Sequence, residues 1–126
     1  MPITYRQDSE SVEFYAIFEG VLTPEAITDY FLRMTNEIGS FAGARALLEI
    51  RKVTFRGFTF DSISKIAGTT KAHQHLLESS KTAVVASQAV AYGIARMYIA
   101  IRDPKYDFQV FKDRDEAMLW LGPRRA

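Results

Sequence analysis

Three cations and three phenylalanines fall within one short segment of the sequence, residues 51–60. The cations are Arg51, Lys52 and Arg56. The segment follows an apolar, β-rich pattern at residues 46–50 and precedes a helical pattern that begins at Asp61. Open α/β sheets bind ligands beyond the carboxyl ends of their strands, and a helix N-terminus favours an anion. The segment therefore predicts a site for a phosphate, a carboxylate or a phosphoserine. The alternative is that Asp61 is an ordinary N-cap and the cations are solvated loop charges.

The phenylalanines of the same segment are Phe55, Phe58 and Phe60. They are too many for a wholly exposed connection, so some of them must be covered. They either lie over the sheet edge as part of the core, line an apolar groove, or form a contact between subunits, where aromatic residues are enriched.

A second candidate lies at the start of a helical pattern at residues 89–101, around Tyr92-Gly93, Arg96 and Met97. Glycine permits a close backbone approach here, and Tyr92 and Arg96 are candidate ligand-binding residues. The helix follows a strand, so it is expected beside the segment 51–60, and one pocket formed by the two is one of two alternatives. The alternative is helix-on-sheet packing, with Arg96 reaching solvent along its aliphatic stem.

Several kinds of chemistry find no motif in the sequence. The chain has no cysteine, which excludes thiolate metal sites and a cysteine nucleophile. His73 and His75 are two residues apart on a predicted helix, so they point to different faces and cannot share a metal. No Gly-x-Ser-x-Gly elbow is present, and the stretch Gly68–Lys71 lacks the phosphate-loop spacing. We therefore expect no catalytic set, no metal and no cofactor, although residues from distant segments can still assemble an enzyme site.

The elements that must position these residues alternate along the chain. Residues 2–7 and 11–19 predict an antiparallel pair around the turn Asp8–Glu10. Further strands are predicted at residues 46–50, 81–86 and 106–111, and helices at residues 24–38, 61–77, 89–101 and 113–122. Alternation of strands and helices predicts right-handed crossovers. The expected fold is an α/β domain with a mixed, mainly parallel sheet of about five strands, an N-terminal hairpin and about four helices.

Length and charge restrict the classes of function. At 126 residues the chain fits one domain, expected over residues 1–122, with residues 123–126 as a frayed tail. The formal charge of +1 gives no net field for nucleic acid, so no nucleic-acid partner is expected. The N-terminal residues are polar and acidic, unlike a signal peptide, and no apolar run is long enough for a membrane span. We expect a cytoplasmic protein.

Three stretches together carry a resemblance to a known family. They are the strand Ala46-Leu47-Leu48-Glu49-Ile50, the run Ala91-Tyr92-Gly93-Ile94-Ala95-Arg96-Met97, and the ending from Val110 to Leu121. The sequence resembles the SpoIIAA-like family of small bacterial proteins, mostly of unknown function, related in fold to STAS domains and more distantly to certain lipid-transfer domains. In the antagonists that name this family, a serine at a helix N-terminus is phosphorylated to switch partner binding. The resemblance implies Ser62 as its counterpart, with Ser64 nearby as a second candidate.

Two functions are compatible with these observations. The first is a non-enzymatic regulatory or protein-interaction module of STAS-like type that binds a protein partner under phosphorylation control. The second is a carrier or sensor of a small amphipathic, lipid-like or anionic ligand, bound by the aromatic residues and cations of residues 51–60. Homodimerisation through this segment or an edge strand is also expected, because the N-terminal hairpin leaves an exposed edge.

Overall fold

Five strands and four helices make up the described part of the chain, which in this computed structural model comprises residues 3–7, 12–38, 43–102 and 106–123. The strands are β1 (Ile3–Gln7), β2 (Phe14–Leu22), β3 (Arg45–Phe55), β4 (Lys81–Ala86) and β5 (Asp107–Phe111). The helices are α1 (Pro24–Ile38), α2 (Phe60–Ala72), α3 (Ala89–Ile101) and α4 (Arg114–Leu121), and a short 3₁₀ turn, Gln74–Leu76, follows α2.

The strands lie in one sheet in the order of the chain, β1-β2-β3-β4-β5. β1 pairs antiparallel with β2, and every later pair is parallel. Right-handed crossovers between sequential neighbours place their helices on one face of the sheet. These crossover helices are α1, α2 and α3, and α4 packs on the opposite face. The predicted mixed, mainly parallel sheet with four helices is confirmed, while the predicted turn at Asp8–Glu10 lies outside the described residues.

The alternation of side chains along β2 explains how the sheet is covered on both faces. Phe14, Ala16 and Phe18 are buried in the core beneath the crossover helices. Tyr15, between them in sequence, packs instead in the cluster beneath α4, together with Leu47 of β3. Successive residues of a strand point to opposite faces of the sheet, so the apolar residues of β2 contribute to a core on each face.

β3 is longer than the strand predicted at residues 46–50. The prediction that residues 51–60 form a loop is therefore wrong for its first half. Arg51–Phe55 belong to the strand, because β2 continues to Leu22 and offers it pairing partners. A β-bulge between the pairs Phe18↔Ile50 and Gly20↔Val53 inserts one extra residue in β3. The bulge interrupts the alternation at the two cations, which is why the sequence pattern appeared to end at Ile50.

The start and end of α2 also differ from the prediction. Thr59 is its N-cap, with its side chain accepting a hydrogen bond from the Ser62 amide, so the predicted cap Asp61 is instead a first-turn residue. The helix ends at Ala72 and the 3₁₀ turn covers most of the remaining residues that were predicted as helix. Among the described residues, no helix has the length and apolar character needed to cross a membrane.

Candidate functional site

A cavity of about 180 Å³ lies between the sheet and the crossover helices. Its walls are formed by apolar side chains of β2, β3, β4 and β5 and of all three crossover helices. No charged residue belongs to this lining within the described ranges. Protein interiors are normally close-packed, so an apolar space of this size needs a structural reason.

Four alanines of the lining contribute to the space. Ala44 and Ala46 lie on or next to β3, and Ala91 and Ala95 lie on α3; all four line the cavity. Ala91 and Ala95 are four residues apart, so they share one helix face. An alanine at each of these positions leaves room that a leucine or phenylalanine would fill.

One end of the cavity carries hydroxyl groups. The hydroxyls of Tyr98 and Tyr106 are hydrogen-bonded to each other, and Tyr98 also bonds to the Thr70 hydroxyl at 2.9 Å. The Thr70 hydroxyl donates to the Ala67 carbonyl at 3.0 Å. All three hydroxyl-bearing residues line the cavity. They form a continuous chain of hydrogen bonds across α2, α3 and the residue that precedes β5.

Ser80 lies at the same end, directly before β4. Its carbonyl accepts a hydrogen bond from the Asp107 amide at 3.2 Å, which places it beside Tyr106 at the start of β5. Ser80 is only 4% exposed and lines the cavity, and its hydroxyl has no hydrogen-bond partner in the part of the chain that the structure describes. Buried polar groups are nearly always hydrogen-bonded, so a polar atom of a ligand is expected beside this hydroxyl.

The Tyr98 hydroxyl stays protonated at physiological pH. Burial raises the pKa of Tyr98 well above its ordinary value of 10.0, and the neighbouring Tyr106 raises it further. Arg102 lies outside the lining, with its guanidinium 5.2 Å from the centre of the Tyr106 ring. The described lining of the cavity therefore offers hydroxyl groups and an apolar wall, and no charged side chain.

Of the predicted aromatic residues, two line this cavity and one does not. Phe55 and Phe58 meet edge to face at 5.2 Å between ring centres, and both contribute to the lining away from the hydroxyl end. Phe60 begins α2 and is 63% exposed. Phe55 and Phe58 thus join the core and the cavity wall at once, combining two of the alternatives that the sequence left open.

The predicted cations lie apart from the cavity. Arg51 is on the α4 face of the sheet, where its guanidinium bonds Glu49 at 3.1 Å. Lys52 and Arg56 are exposed. Arg51 and Phe58 therefore lie on opposite sides of the sheet, and the structure does not bring them into one pocket.

Glu49 is the centre of a polar cluster that sequence reasoning missed. Its carboxylate accepts a hydrogen bond from the Tyr15 hydroxyl at 2.7 Å and lies 3.4 Å from Arg114 at the start of α4. Burial and the hydrogen bond to Glu49 raise the pKa of Tyr15, and the same carboxylate raises the pKa of Arg51. The one signal in the sequence was a single carboxylate within an otherwise apolar strand.

The remaining predicted residues are distributed over α2 and α3. Tyr92 is half-buried with the Lys112 ammonium 5.1 Å from its ring centre, and Arg96 is exposed; neither lines the cavity. Ser62 accepts a hydrogen bond from the Thr59 amide at 2.8 Å and donates to the Thr59 carbonyl. Ser64 lies in a surface groove with Lys71 and Arg102.

The cavity residues themselves could have been found only in part from the sequence. Ala91, Ala95 and Tyr98 share the inward-facing positions of α3, which the helical spacing indicates. Nothing in the sequence joins them to Thr70, Ser80 or Tyr106, because those residues come together through the β-α-β crossovers. Within the described residues, no group of three or more histidine, aspartate or glutamate side chains is arranged to hold a metal ion.

The sequence matches the family described as Domain of unknown function (DUF7793) over residues 50–124. Among solved structures, the fold is similar to the crystal structure at 2.25 Å of an uncharacterised protein from the DUF3478 family of Shewanella loihica PV-4, which has a SpoIIAA-like fold. The match covers 95% of this chain and 94% of that chain, with a TM-score of 0.62 and 17% identity. The SpoIIAA-like fold expected from the sequence is thereby confirmed. No curated protein matches the chain.

Proposed function

The chain belongs to the DUF7793 family of domains of unknown function, and we propose that it is a non-enzymatic carrier or sensor of a small, uncharged, largely apolar ligand. The observation that supports this is the cavity of about 180 Å³ between the sheet and the crossover helices. Ligand sites are typically concave and apolar, with a few polar groups that orient the ligand. The apolar walls and the hydroxyl end of this cavity have that character.

The volume limits the size of the ligand. An engineered apolar cavity of about 150 Å³ binds benzene, whereas drug-sized ligands occupy roughly 300 Å³ or more. A cavity of about 180 Å³ therefore suits a single ring or a short alkyl chain and is too small for a long acyl chain. This narrows the lipid-like ligand expected from the sequence to a much smaller molecule.

The described lining contains no charged residue, and this restricts the charge that a bound ligand can carry. Taking an ionised group out of water without a counter-charge is strongly unfavourable. The sequence predicted an anionic ligand beside Arg51, Lys52 and Arg56. None of these cations lines the cavity, so they would not stabilise an anion bound inside it.

Toluene is a suitable probe, and methyl NMR of the isoleucines Ile63 and Ile66 reports on the cavity wall. We expect both methyl signals to shift on titration with toluene, and the melting temperature to rise because the ligand binds only the folded state. Ala95→Leu should abolish the shifts by filling the space, and Ala100→Leu, on the exposed side of the same helix, should retain them. Unchanged isoleucine signals in toluene-saturated wild-type protein would contradict the proposal.

A second function is favoured by the position of Ser62. Its hydroxyl is accessible at the N-terminus of α2 and donates a hydrogen bond to the Thr59 carbonyl. A phosphate ester at this oxygen has no proton to donate, so phosphorylation would remove that bond and place negative charge beside the exposed Phe60. A STAS-like regulatory module that binds a protein partner is compatible with this arrangement.

This second proposal is tested by partner capture with Ser62→Asp, Ser62→Ala and wild-type protein. We expect Ser62→Asp to change the set of captured partners relative to the other two, and Ser64→Asp tests the second candidate serine in the same way. Identical partners for all variants would exclude a switch at Ser62.

Homodimerisation remains a prediction, and light scattering at micromolar concentration would contradict it by showing only the monomer mass of 14.3 kDa.

A further inference from the structure

Ser80 carries a buried hydroxyl at the cavity wall that lacks a hydrogen-bond partner among the described residues. The residue lies directly before β4 and belongs to the cavity lining, and no described residue hydrogen-bonds its hydroxyl. A buried hydroxyl without a hydrogen bond loses its hydration and gains nothing in exchange. Such a group is expected where a ligand atom completes the bonding.

The neighbouring hydrogen bonds fix the direction of the tyrosine chain. The Thr70 hydroxyl donates to the Ala67 carbonyl, so its oxygen accepts from Tyr98. The Tyr98 proton is then committed to Thr70, and the Tyr98 oxygen accepts the proton of Tyr106. Each of these three hydroxyl protons is donated to an acceptor within the protein. Ser80 is left with an uncommitted proton at the same end of the cavity.

We infer that Ser80 is the residue that recognises the ligand's polar group, by donating a hydrogen bond to an oxygen atom of an otherwise apolar molecule. This inference rests on the proposed ligand-binding function and specifies the ligand class. The ligand is a monocyclic or short-chain phenol, alcohol or ketone. Ionised carboxylates and amines are disfavoured because no charged residue of the described chain lines the cavity.

Phenol and toluene test the inference because they differ only in a hydroxyl or a methyl group on the same ring. We expect Ser80→Ala to weaken phenol binding by about three- to tenfold, the usual value of one hydrogen bond, and to leave toluene binding unchanged. Thr82→Val is the matched control, since it removes the hydroxyl of another lining residue two positions further along, in β4. It should not change the ratio of the two dissociation constants.

The outcomes separate this inference from the proposed function. Toluene binding in which Ser80→Ala leaves the phenol affinity unchanged would overturn the role of Ser80 and keep the cavity as a ligand site. Binding of neither compound to wild-type protein would overturn the proposed function and the inference with it. Ser80→Ala should fold at least as stably as wild type in urea without ligand, because the lost hydroxyl has no partner there.

Discussion

Two reciprocal hydrogen bonds between Thr59 and Ser62 hold the N-terminus of α2. The Thr59 side chain accepts from the Ser62 amide at 3.1 Å, and the Ser62 hydroxyl accepts from the Thr59 amide at 2.8 Å. This capping box satisfies amides that the first turn of the helix leaves unpaired. It also fixes the direction in which Phe58 enters the cavity wall, one residue before the cap.

Thr59→Ala should lower the free energy of unfolding by about 1 kcal/mol, the usual cost of removing an N-cap side chain. Asp61→Ala should cost clearly less, because Asp61 is exposed and its pair with Lys65, 3.4 Å away, is a surface ion pair. Urea unfolding of the two variants measures the difference. A larger loss for Asp61→Ala would show that Thr59 is not the effective cap.

Glu49 shows how one residue can change the interpretation of its neighbours. From the sequence, Arg51 appeared available to an anionic ligand, but its guanidinium bonds the Glu49 carboxylate. The same carboxylate joins Tyr15 of β2 to Arg114 of α4. The cluster therefore links three elements on the α4 face of the sheet, and its contacts explain Arg51 as a structural residue.

At the scale of elements, α4 is the only described helix on its face of the sheet, and its attachment combines apolar and polar contacts. Ala117 and Leu121 are buried against Leu47 and Ala83. The guanidinium of Arg45 bonds the carbonyl of Gly122 directly after the helix, and it also bonds Glu13. A short helix with few buried residues depends strongly on each of them.

Leu121→Ala should destabilise the protein by roughly 2 to 4 kcal/mol, because Leu121 is 3% exposed and its removal leaves a cavity beneath α4. Leu119→Ala provides the matched control, since Leu119 lies on the same helix and is 83% exposed. Chemical unfolding followed by the fluorescence of Trp120, the one tryptophan of the sequence, measures both. Similar losses for the two variants would contradict the docking of α4 through Leu121.

The length of β3 illustrates what an element's neighbours add to its sequence. The apolar pattern of β3 ends at Ile50, and two cations follow. The strand nevertheless continues to Phe55, because backbone pairing with β2 does not depend on side-chain polarity and the bulge returns Val53 to the core. No pattern of period two indicates a bulge in advance, since the bulge changes the period.

At the scale of the whole molecule, tyrosine ionisation should limit stability in alkali. Burial raises the pKa values of Tyr15 and Tyr98 above 10.0 in the folded protein, whereas unfolded tyrosine ionises near its ordinary pKa. The folded state therefore holds these protons more tightly than the unfolded state. Their contribution to stability is fully present below about pH 10 and is lost as the pH rises further.

We expect the free energy of unfolding to fall above about pH 10, and Tyr98→Phe to reduce the steepness of that fall. Urea unfolding at a series of alkaline pH values measures the free energy, and ultraviolet absorbance counts the tyrosines ionised before unfolding. Tyr92→Phe is the control, as a half-buried tyrosine outside the cavity. An equal pH dependence for wild type and Tyr98→Phe would show that Tyr98 does not carry this effect.

The sequence by itself determined the α/β class, the parallel crossovers and most helix bounds of this protein. Pro24 begins α1, and the side chain of Asp113 caps α4 by accepting hydrogen bonds from the amides of Asp115 and Glu116. These signals and the apolar spacing of α3 act over a few residues, so they can be recognised in the sequence. Composition also restricted the chemistry, since the chain contains no cysteine and almost no net charge.

Only the tertiary structure decided where the cavity lies and which residues line it. Thr70, Ser80, Tyr98 and Tyr106 belong to four separate segments, and Arg51 and Phe58, seven residues apart, are directed to opposite faces of the sheet. Strand pairing, strand register and one bulge set these positions. Each depends on contacts between residues far apart in the chain, which local sequence patterns do not encode.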